Sequence, residues 1–347
     1  EMTSSLVGSE MCIRDRLIAL KLGSTVTTIY KQGEGMVLKE PSLIASVGHL
    51  KSREIKAIGK DAKRMQGRTN GAISVISPIN AGIITDSDMA TEMLKGFLKR
   101  IFPRRFFKPN IKAILCVPLG ISIAEKKTFE KVCYNAGIAD VTLIPAIICS
   151  AIGDSIPINT TTGKLLVNIG GGCTNIAAMA ESSIITGVNI SVGGTNINSA
   201  IESYILEKYN LFIGEGTSEK VKLEVGSLLE NNIATVEVQG VNAATKESET
   251  VVVSSEDIYP IIEHYYSKIA EAISSVISSC PPDIINDISR EGIYVFGSHS
   301  QISGLTKFLK DKLKLAIHIS ENAKTDIYGA AKLLDNPTEY SEILRSL

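Results

Sequence analysis

The sequence predicts an α/β protein made of two related lobes, and three observations support that fold class. The chain has 347 residues, which is enough for about two domains. Short apolar runs with strand character alternate with segments that repeat apolar residues at helical spacing. A Gly-containing hairpin pattern occurs once in each half, as KLGSTVTTI from Lys21 and as NIGGGCTNI from Asn168. Such a repeat indicates two lobes of common design, and we expect a cleft between them.

Composition excludes several classes of function. Lys and Arg number 36 against 37 Asp and Glu, so no whole-chain charge favours a nucleic-acid partner. The six cysteines form no C-x-x-C pair and the four histidines lie far from them, which argues against zinc and disulfides and for a reducing, cytosolic setting. Apolar runs fall short of the roughly 20 residues that a membrane-spanning helix needs. An integral membrane protein is therefore not expected.

The first half begins with a β-meander. LIALKLGSTVTTIY from Leu17 predicts strand, turn and strand, and QGEG at 32–35 turns the chain into a third strand, MVLKEPSLIAS. Apolar residues at helical spacing predict a helix over Ser87 to Ile101, and AILCVPLG predicts a buried strand. AEKKTFEKVCYNAG predicts a helix that ends at Gly137, and VTLIPAIICSAIG predicts a strand that runs into a helix. Residues 1–16 do not join this pattern, lack a signal-peptide core and resemble translated adapter sequence, so fold prediction starts at Leu17.

The second half repeats the alternation of strands and helices. GGTNINSAIESYILEKYN predicts a helix with Asn196 or Asn198 as its cap. Residues 231–256 are polar and rich in β-formers, which predicts a small strand insertion. IYPIIEHYYSKIAEAISSVISSC predicts a long helix stopped by Pro281-Pro282, and GIYVFGSHSQISGLTKFLKDKL predicts strand, tight turn and helix.

From about Leu17 to Asp335 the chain resembles the bacterial actin homologue MreB family, within the actin, heat-shock chaperone and sugar kinase superfamily. The likeness is carried by SPINAGIITDSDM, VPLGISIAEKKTFEKV, NIGGGCTNIA and TDIYGAAKLLD, and most specifically by KRMQGRT and IGEGTSEKVK. The resemblance implies an actin-like two-lobed fold. Its expected divisions are a first lobe of 17–162 with 323–347 packing back on it, and a second lobe of 163–322 with a small subdomain at about 191–256.

The resemblance also implies a nucleotide site, with ATP as the candidate cofactor. Two hairpin loops would bind the phosphates through backbone N–H groups, because glycine lets a backbone approach closely. Other segments would contact the ribose and base. The implied residues are Gly23, Ser24, Thr25 and Val26 in the first loop, Gly170, Gly171, Gly172 and Cys173 in the second, then Glu219, Lys220, Val221 and Lys222, and on the adenine side Gly297, Ser298, His299, Ser300 and Gln301.

The positions that would carry the chemistry are degenerate. Where the family has an aspartate in each hairpin, this chain has Lys21 and Asn168, so Mg²⁺ affinity should fall steeply. Pro145 and Ala146 stand where the family orients the attacking water, and neither can do so. In the adenine-side turn, the side chains of Ser298 and His299 would obstruct a base. No intact catalytic residue or metal site is expected. The alternative is that Lys21 replaces the metal and contacts the phosphates as a P-loop lysine does.

A basic segment, KRIFPRRFFKPN at 99–110, contains two adjacent phenylalanines. In MreB-like proteins an apolar pair at this place inserts into the membrane, and cations add on the order of 1 kcal/mol each near an anionic surface. The alternative is a solvated loop whose phenylalanines return to the core. The residues assigned to membrane binding are Arg104, Arg105, Phe106, Phe107 and Lys108.

The sequence thus predicts an MreB-like cell-shape protein that forms membrane-associated filaments, binds ATP weakly or not at all, and hydrolyses it poorly. Its expected location is cytoplasmic, at the inner face of the plasma membrane. The expected partners are copies of itself, an intact MreB paralogue and membrane proteins of cell-wall synthesis, without nucleic acid. Two alternatives stay open: an active ATP-hydrolysing filament protein, and a non-polymerising regulator that co-assembles with an intact paralogue.

Overall fold

A computed structural model of the chain describes residues 16–48, 53–67, 73–103, 110–230, 233–341 and 343. The chain folds as two compact units. The first comprises residues 1–153 and 326–345, and the second comprises Asp154–Thr325. The segment resembling adapter sequence lies outside the described residues except for Arg16, which begins the first strand.

The first unit consists of strands and helices that alternate after an initial meander. In chain order its elements are β1 Arg16–Leu22, β2 Val26–Lys31, β3 Gly35–Pro41, β4 Ile44–Val47, β5 Glu54–Ile58, α1 Lys60–Met65, β6 Ile73–Ile76, β7 Ile79–Asn80, β8 Ile83–Ile84, α2 Ser87–Ile101, β9 Ile111–Val117, α3 Ile123–Ala136, β10 Asp140–Pro145 and α4 Ala146–Gly153.

Its main sheet has the strand order β10-β9-β1-β2-β3. Strands β1, β2 and β3 pair antiparallel in succession, whereas β9 runs parallel to β1 and β10 runs parallel to β9. The expected third strand, MVLKEPSLIAS, is divided into β3 and β4. The division falls at Pro41, which lacks the N–H that would continue the ladder, and β4 pairs instead with β5 and β6.

The helices of this unit follow their sequence signals closely. α2 occupies the predicted residues and is capped by Asp86, whose carboxylate accepts a hydrogen bond from Met89 N at 3.0 Å. α3 begins with a reciprocal capping box between Ser122 and Glu125. It ends as predicted at Gly137, which has a φ of 102° in the left-handed region.

The second unit repeats this plan. Its elements are β11 Lys164–Ile169, β12 Thr174–Ala180, β13 Ser183–Ile190, α5 Gly194–Tyr209, β14 Leu211–Phe212, α6 Glu215–Val225, β15 Thr235–Asn242, β16 Ser248–Ser254, α7 Ser255–Ser278, α8 Pro282–Glu291, β17 Ile293–Phe296, α9 Leu305–Leu313 and β18 Ile317–Ile319. The last described helix, α10 Thr325–Asp335, returns the chain to the first unit.

The main sheet of the second unit has the order β13-β12-β11-β17-β18. Three antiparallel strands are again followed by two strands parallel to the first of them. Strand for strand, this is the order of the first unit. The predicted fold class, α/β with a duplicated hairpin in two lobes, is confirmed.

Three local features of the second unit refine the sequence predictions. Gly193, not Asn196 or Asn198, is the N-cap of α5. Asn196 contributes from the third helical position, where its Oδ1 accepts from Gly193 N at 2.9 Å. Pro282 begins a helix, α8, that the sequence pattern did not predict. The expected strand insertion forms the β15–β16 hairpin.

Each unit encloses its own hydrophobic core. In the first unit the core lies between the main sheet and helices α2 and α3, with Phe97 and Phe129 almost fully buried. In the second it includes the inner face of α7, where Tyr266 is 1% exposed. Among the described helices, none combines the length and apolar character needed to cross a bilayer.

Candidate functional site

The two hairpin loops close in the same way. Gly23 N donates to Val26 O at 3.2 Å, and Gly170 N donates to Cys173 O at 2.9 Å. A Cβ on either glycine would lie too close to the accepting carbonyl oxygen, at 2.6 Å in the first loop and 2.9 Å in the second. The same tight turn therefore requires glycine at the same place in both units, which explains the sequence repeat.

In the first unit the loop is covered by the β7–β8 turn. Gly82 N donates to Ser24 Oγ at 2.9 Å, and Ser77 Oγ donates to Ser24 O at 2.9 Å. The turn residues Ala81 and Gly82 have φ values of 48° and 80°. Ala81 thus occupies a left-handed conformation that alanine rarely adopts.

Lys21, at the position where the resemblance implies a metal ligand in the first hairpin, forms an ion pair with Asp326. Asp326 lies in the first turn of α10 and its side chain is 5% exposed. The carboxylate also accepts from Ile327 N at 2.7 Å, and the Asp326 carbonyl accepts from Cys116 Sγ at 3.7 Å. The Lys21 ammonium is thus bound to a carboxylate within its own unit.

The parallel strands bring the other degenerate positions to the same edge. Lys21 pairs in register with Cys116 on β9, and β9 lies between β1 and β10. Pro145 ends β10 and Ala146 begins α4, so both lie at the carboxyl end of the sheet with Lys21. At the start of α2, Asp86 serves as the N-cap and pairs with Arg53. Burial alone would raise the pKa of the Asp86 carboxyl, but the hydrogen bonds from Met89 N and Arg53 outweigh burial, and the net pKa is lowered.

The second-unit site consists of the Gly170–Cys173 loop, the Gly193-Gly194 start of α5, Lys222 on α6 and the Gly297–Gln301 turn. Gly194 N and Thr195 N donate to the carbonyls of Gly170 and Gly171, at 3.2 and 2.8 Å. Asn168 lies beneath the turn, because a Cβ on Gly297 would come within 2.6 Å of Asn168 Oδ1. Three separate segments implied by the resemblance therefore do meet.

The imidazole of His299 lies within this site. A Cβ on Gly194 would be 1.8 Å from its Nε2, so the ring contacts the first turn of α5. Nε2 lies 3.1 Å from Lys222 Nζ, and Nδ1 lies 3.0 Å from Ser298 Oγ. Burial lowers the pKa of His299 to about 3, and the Lys222 charge adds to this, whereas a hydrogen bond with the Gly170 backbone opposes it.

Lys222 is a buried cation. Its ammonium donates to Gly194 O at 3.2 Å and to the His299 ring, which are both neutral acceptors. Burial lowers its pKa to about 8, against the opposing charges of Glu219 and Glu215. A buried charge with a shifted pKa beside a glycine-rich loop is typical of a ligand site.

Other residues implied by the resemblance have structural contacts. Val221 is fully buried in the core, and Lys220 is exposed and pairs with Glu224 at 3.9 Å. Ser300 Oγ donates to Gly297 O at 2.8 Å, and Gln301 Nε2 donates to Ser320 O at 2.6 Å, so both side chains hold the turn. From the α6 segment, Glu219 and Lys222 share a helix face because they are three positions apart.

The proposed membrane residues, 104–108, lie outside the described residues. Next to them, Arg100 is held by carboxylates of the first unit, 3.3 Å from Asp61 and 3.6 Å from Glu40.

Sequence reasoning missed Asp326, which lies 305 positions from its partner Lys21. It also missed Gly193 and Gly194, although the GG pair before a helix was a visible signal for close backbone approach.

The described residues do not fit a Mg²⁺ site. No group of three or more His, Cys, Asp or Glu side chains in the described part of the chain is arranged to hold a metal. At the implied metal positions, the first unit presents the Lys21 ammonium already bound to Asp326, and the second unit presents the Asn168 amide. Mg²⁺ prefers several oxygen ligands and is repelled by an ammonium.

Two five-stranded sheets of the same order, each with a Gly-closed hairpin loop, define an actin-like protein. A MamK double helical filament structure shares this fold, with a TM-score of 0.75 at 19% identity over 93% of this chain and 99% of that chain. The family model described as MreB/Mbl protein matches residues 15–342, and the chain belongs to that family.

Individual relatives match over nearly their whole length. The cell shape-determining protein MreB of Escherichia coli strain K12 is 31% identical over 92% of this chain and 93% of its own. The cell shape-determining protein Mbl of Bacillus cereus is 32% identical over 92% and 96%. The crystal structure of MreB5 of Spiroplasma citri bound to ADP has a TM-score of 0.86 at 28% identity, covering 94% of this chain and 98% of that one.

Proposed function

We propose that the chain is a cell-shape cytoskeletal protein that forms filaments at the inner face of the membrane, binds ATP weakly and hydrolyses it poorly. Support for the first part comes from its relatives, which are cell shape-determining proteins, and from the filament formed by MamK. MreB5 of Spiroplasma citri has been crystallised with ADP and with AMPPNP, which supports nucleotide as the ligand class.

The ion pair between Lys21 and Asp326 is the observation that carries the proposal of poor hydrolysis. Phosphoryl transfer requires the charge on the phosphates to be neutralised, usually by a metal held on oxygen ligands. Here an ammonium occupies that position and a carboxylate already neutralises it. Pro145 and Ala146 at the same sheet edge offer no group that can orient water.

Nucleotide binding is proposed to persist, weakly, because both hairpin loops keep their closing hydrogen bonds. Their backbone N–H groups suit phosphate oxygens without any side-chain chemistry. Lys222 adds a buried positive charge in the second-unit site. The same loop closure is also compatible with the alternative function, an active ATPase. A direct test must therefore distinguish weak binding without turnover from active hydrolysis.

Calorimetry of ATP binding, with and without Mg²⁺, together with phosphate release separates these functions. We expect weak binding that Mg²⁺ does not strengthen, and no turnover at the rates of an active ATPase. Substituting Lys21→Asp places two carboxylates together and should make ATP binding Mg²⁺-dependent, because it supplies oxygen ligands.

Lys21→Ala is the matched control, since it removes the cation without adding a carboxylate. It should leave binding independent of Mg²⁺. Mg²⁺-dependent turnover by the unaltered chain would refute the proposed loss of hydrolysis and favour the active ATPase. If filaments form only with an intact paralogue, the regulator is the better description.

A further inference from the structure

The His299 side chain is held in place from several sides within the second-unit site. Its ring contacts Gly194 and the Gly170 backbone, and both ring nitrogens have polar neighbours, Lys222 and Ser298. Its backbone is fixed separately, because Tyr266 Oη donates to His299 O at 2.6 Å and His299 N donates to Ile169 O at 3.2 Å. The backbone bonds belong to the turn, and only the side-chain contacts fill the site.

The ring fills space that the surrounding backbone leaves open. Gly193 and Gly194 have no side chains, and a Cβ on Gly193 would lie 2.6 Å from Gly171 O on the hairpin side. On the other side, all three of the nearest atoms to a Cβ on Gly194 belong to the His299 ring, at 1.8 to 2.5 Å. The space next to the Gly170–Cys173 loop is thus occupied by the His299 ring.

The contact with Lys222 is replaceable. A neutral imidazole nitrogen is a weaker partner for a buried ammonium than an anionic oxygen, because only the anion offsets the buried positive charge. A ligand that carries a phosphate would provide such oxygens. His299 is half-buried and the preceding Ser298 is exposed, so this turn borders solvent.

We propose that the His299 imidazole is a side-chain plug of the second-unit site, which must rotate away from Gly194 and Lys222 before a nucleoside phosphate can bind. The inference rests on the proposed function, since it takes nucleotide as the ligand. The plug explains the proposed weak binding of nucleotide by one side chain, that of His299. The position of the ring can be tested without ligand, and its effect on affinity can be tested with it.

The position of the ring is tested by NMR of histidine-labelled protein, with the His299 signal assigned from His299→Ala. In the unaltered chain His299 should not titrate between pH 5 and 8, since its pKa is lowered to about 3. Gly194→Ala should expel the ring, and the His299 signal should then titrate near 6.5, as for an exposed histidine. Titration near 6.5 in the unaltered chain would show that the site is not plugged.

The effect on affinity is tested by calorimetry with ADP and ATP. His299→Ala keeps both backbone hydrogen bonds and should tighten nucleotide binding by about tenfold or more, because the open state no longer competes with a plugged one. His264→Ala, at an exposed position on α7, is the matched control and should leave affinity unchanged.

The outcomes separate the plug from the proposed function. Equal affinity of the unaltered chain and His299→Ala, with binding measurable in both, overturns the plug and leaves nucleotide binding intact. Absence of binding in both at millimolar nucleotide overturns the plug and nucleotide binding together. Tighter binding by His299→Ala alone, with His264→Ala unchanged, supports the plug.

Discussion

Lys222, in the second-unit site, lowers the stability of the fold because its charge is buried. The residue is 6% exposed, and its ammonium donates to neutral acceptors. A pKa of about 8 in place of 10.5 corresponds to about 3 kcal/mol against folding while the group is charged. A residue that stabilised only the fold would not carry this penalty, which supports a role in binding.

Lys222→Met should therefore raise the free energy of unfolding at pH 7 by about 1–2 kcal/mol, since it removes a buried charge while losing two hydrogen bonds. Between pH 8 and 10.5 the unfolded chain holds the Lys222 proton more tightly than the folded chain does. The stability of the unaltered chain should consequently rise with pH across that window relative to Lys222→Met. Urea unfolding at pH 7 and pH 10 measures both effects.

Lys220→Met is the control on the same helix, because Lys220 is exposed and only weakly paired. It should change stability by no more than about 0.5 kcal/mol at either pH. A loss of stability in Lys222→Met at pH 7 would mean that its two hydrogen bonds outweigh the burial penalty.

The predicted degeneracy of Lys21, Asn168, Pro145 and Ala146 follows from the sequence alone, because each residue type lacks the chemistry expected at its place. The partner of Lys21 could not be predicted from the sequence. A single Asp326 at the start of a helix has no local pattern that connects it to a strand 305 positions earlier. The His299 contact lay between these cases. Sequence identified an obstructing side chain, but only the packing shows that it touches Gly194 and Lys222.

At the level of elements, the duplicated hairpin is the best-predicted feature. Its glycines are set by a local constraint, the closing hydrogen bond of each loop, and local constraints leave clear sequence signals. The predicted limits of α2 and the predicted end of α3 were confirmed for the same reason. α8 was missed because Pro281-Pro282 was interpreted only as the end of α7, although proline also favours the first turn of a helix.

Gly23→Ala and Gly170→Ala should each destabilise the protein by about 1–3 kcal/mol, because the new Cβ overlaps a carbonyl oxygen of the turn. The effect should be larger at Gly23, where the contact would be 2.6 Å, than at Gly170, where it would be 2.9 Å. Thermal and urea unfolding of the two variants give the comparison.

Gly216→Ala provides the opposite control. Gly216 lies in α6 with nothing within 4 Å of its Cβ position, so alanine should gain up to about 1 kcal/mol from helix propensity. Tolerance of alanine at both hairpin glycines would contradict the shared closure of the loops.

For the whole molecule, the two units share one strand order but differ at the positions where the sequence predicts nucleotide chemistry. In the first unit an ammonium paired with a carboxylate lies at the expected metal position, and in the second a histidine ring lies within the candidate site. Both units keep their sheets and their loop closures. This combination agrees with the proposed function, a filament subunit that hydrolyses ATP poorly.

The proposed membrane binding is assigned to the 99–110 segment. Phe106→Ser combined with Phe107→Ser should abolish co-sedimentation with anionic liposomes without unfolding the protein, because the inserted apolar area is lost. Phe212→Ser, which alters a phenylalanine that is 49% exposed in the second unit, is the matched control and should bind normally. Unchanged binding by the double variant would refute the insertion loop.

The helix α10 connects the order of synthesis to the order of folding. It supplies Asp326 to Lys21, its Lys332 donates to Ile152 O at 2.9 Å, and Gly329 packs so closely that a Cβ would lie 1.7 Å from Cys149 O. All of residues 154–325 must be translated before it emerges, which takes roughly 10 to 30 s at ordinary rates. During that interval the nascent first unit lacks one of its own helices, and the ribosome-bound chain would expose the α4 surface to chaperones.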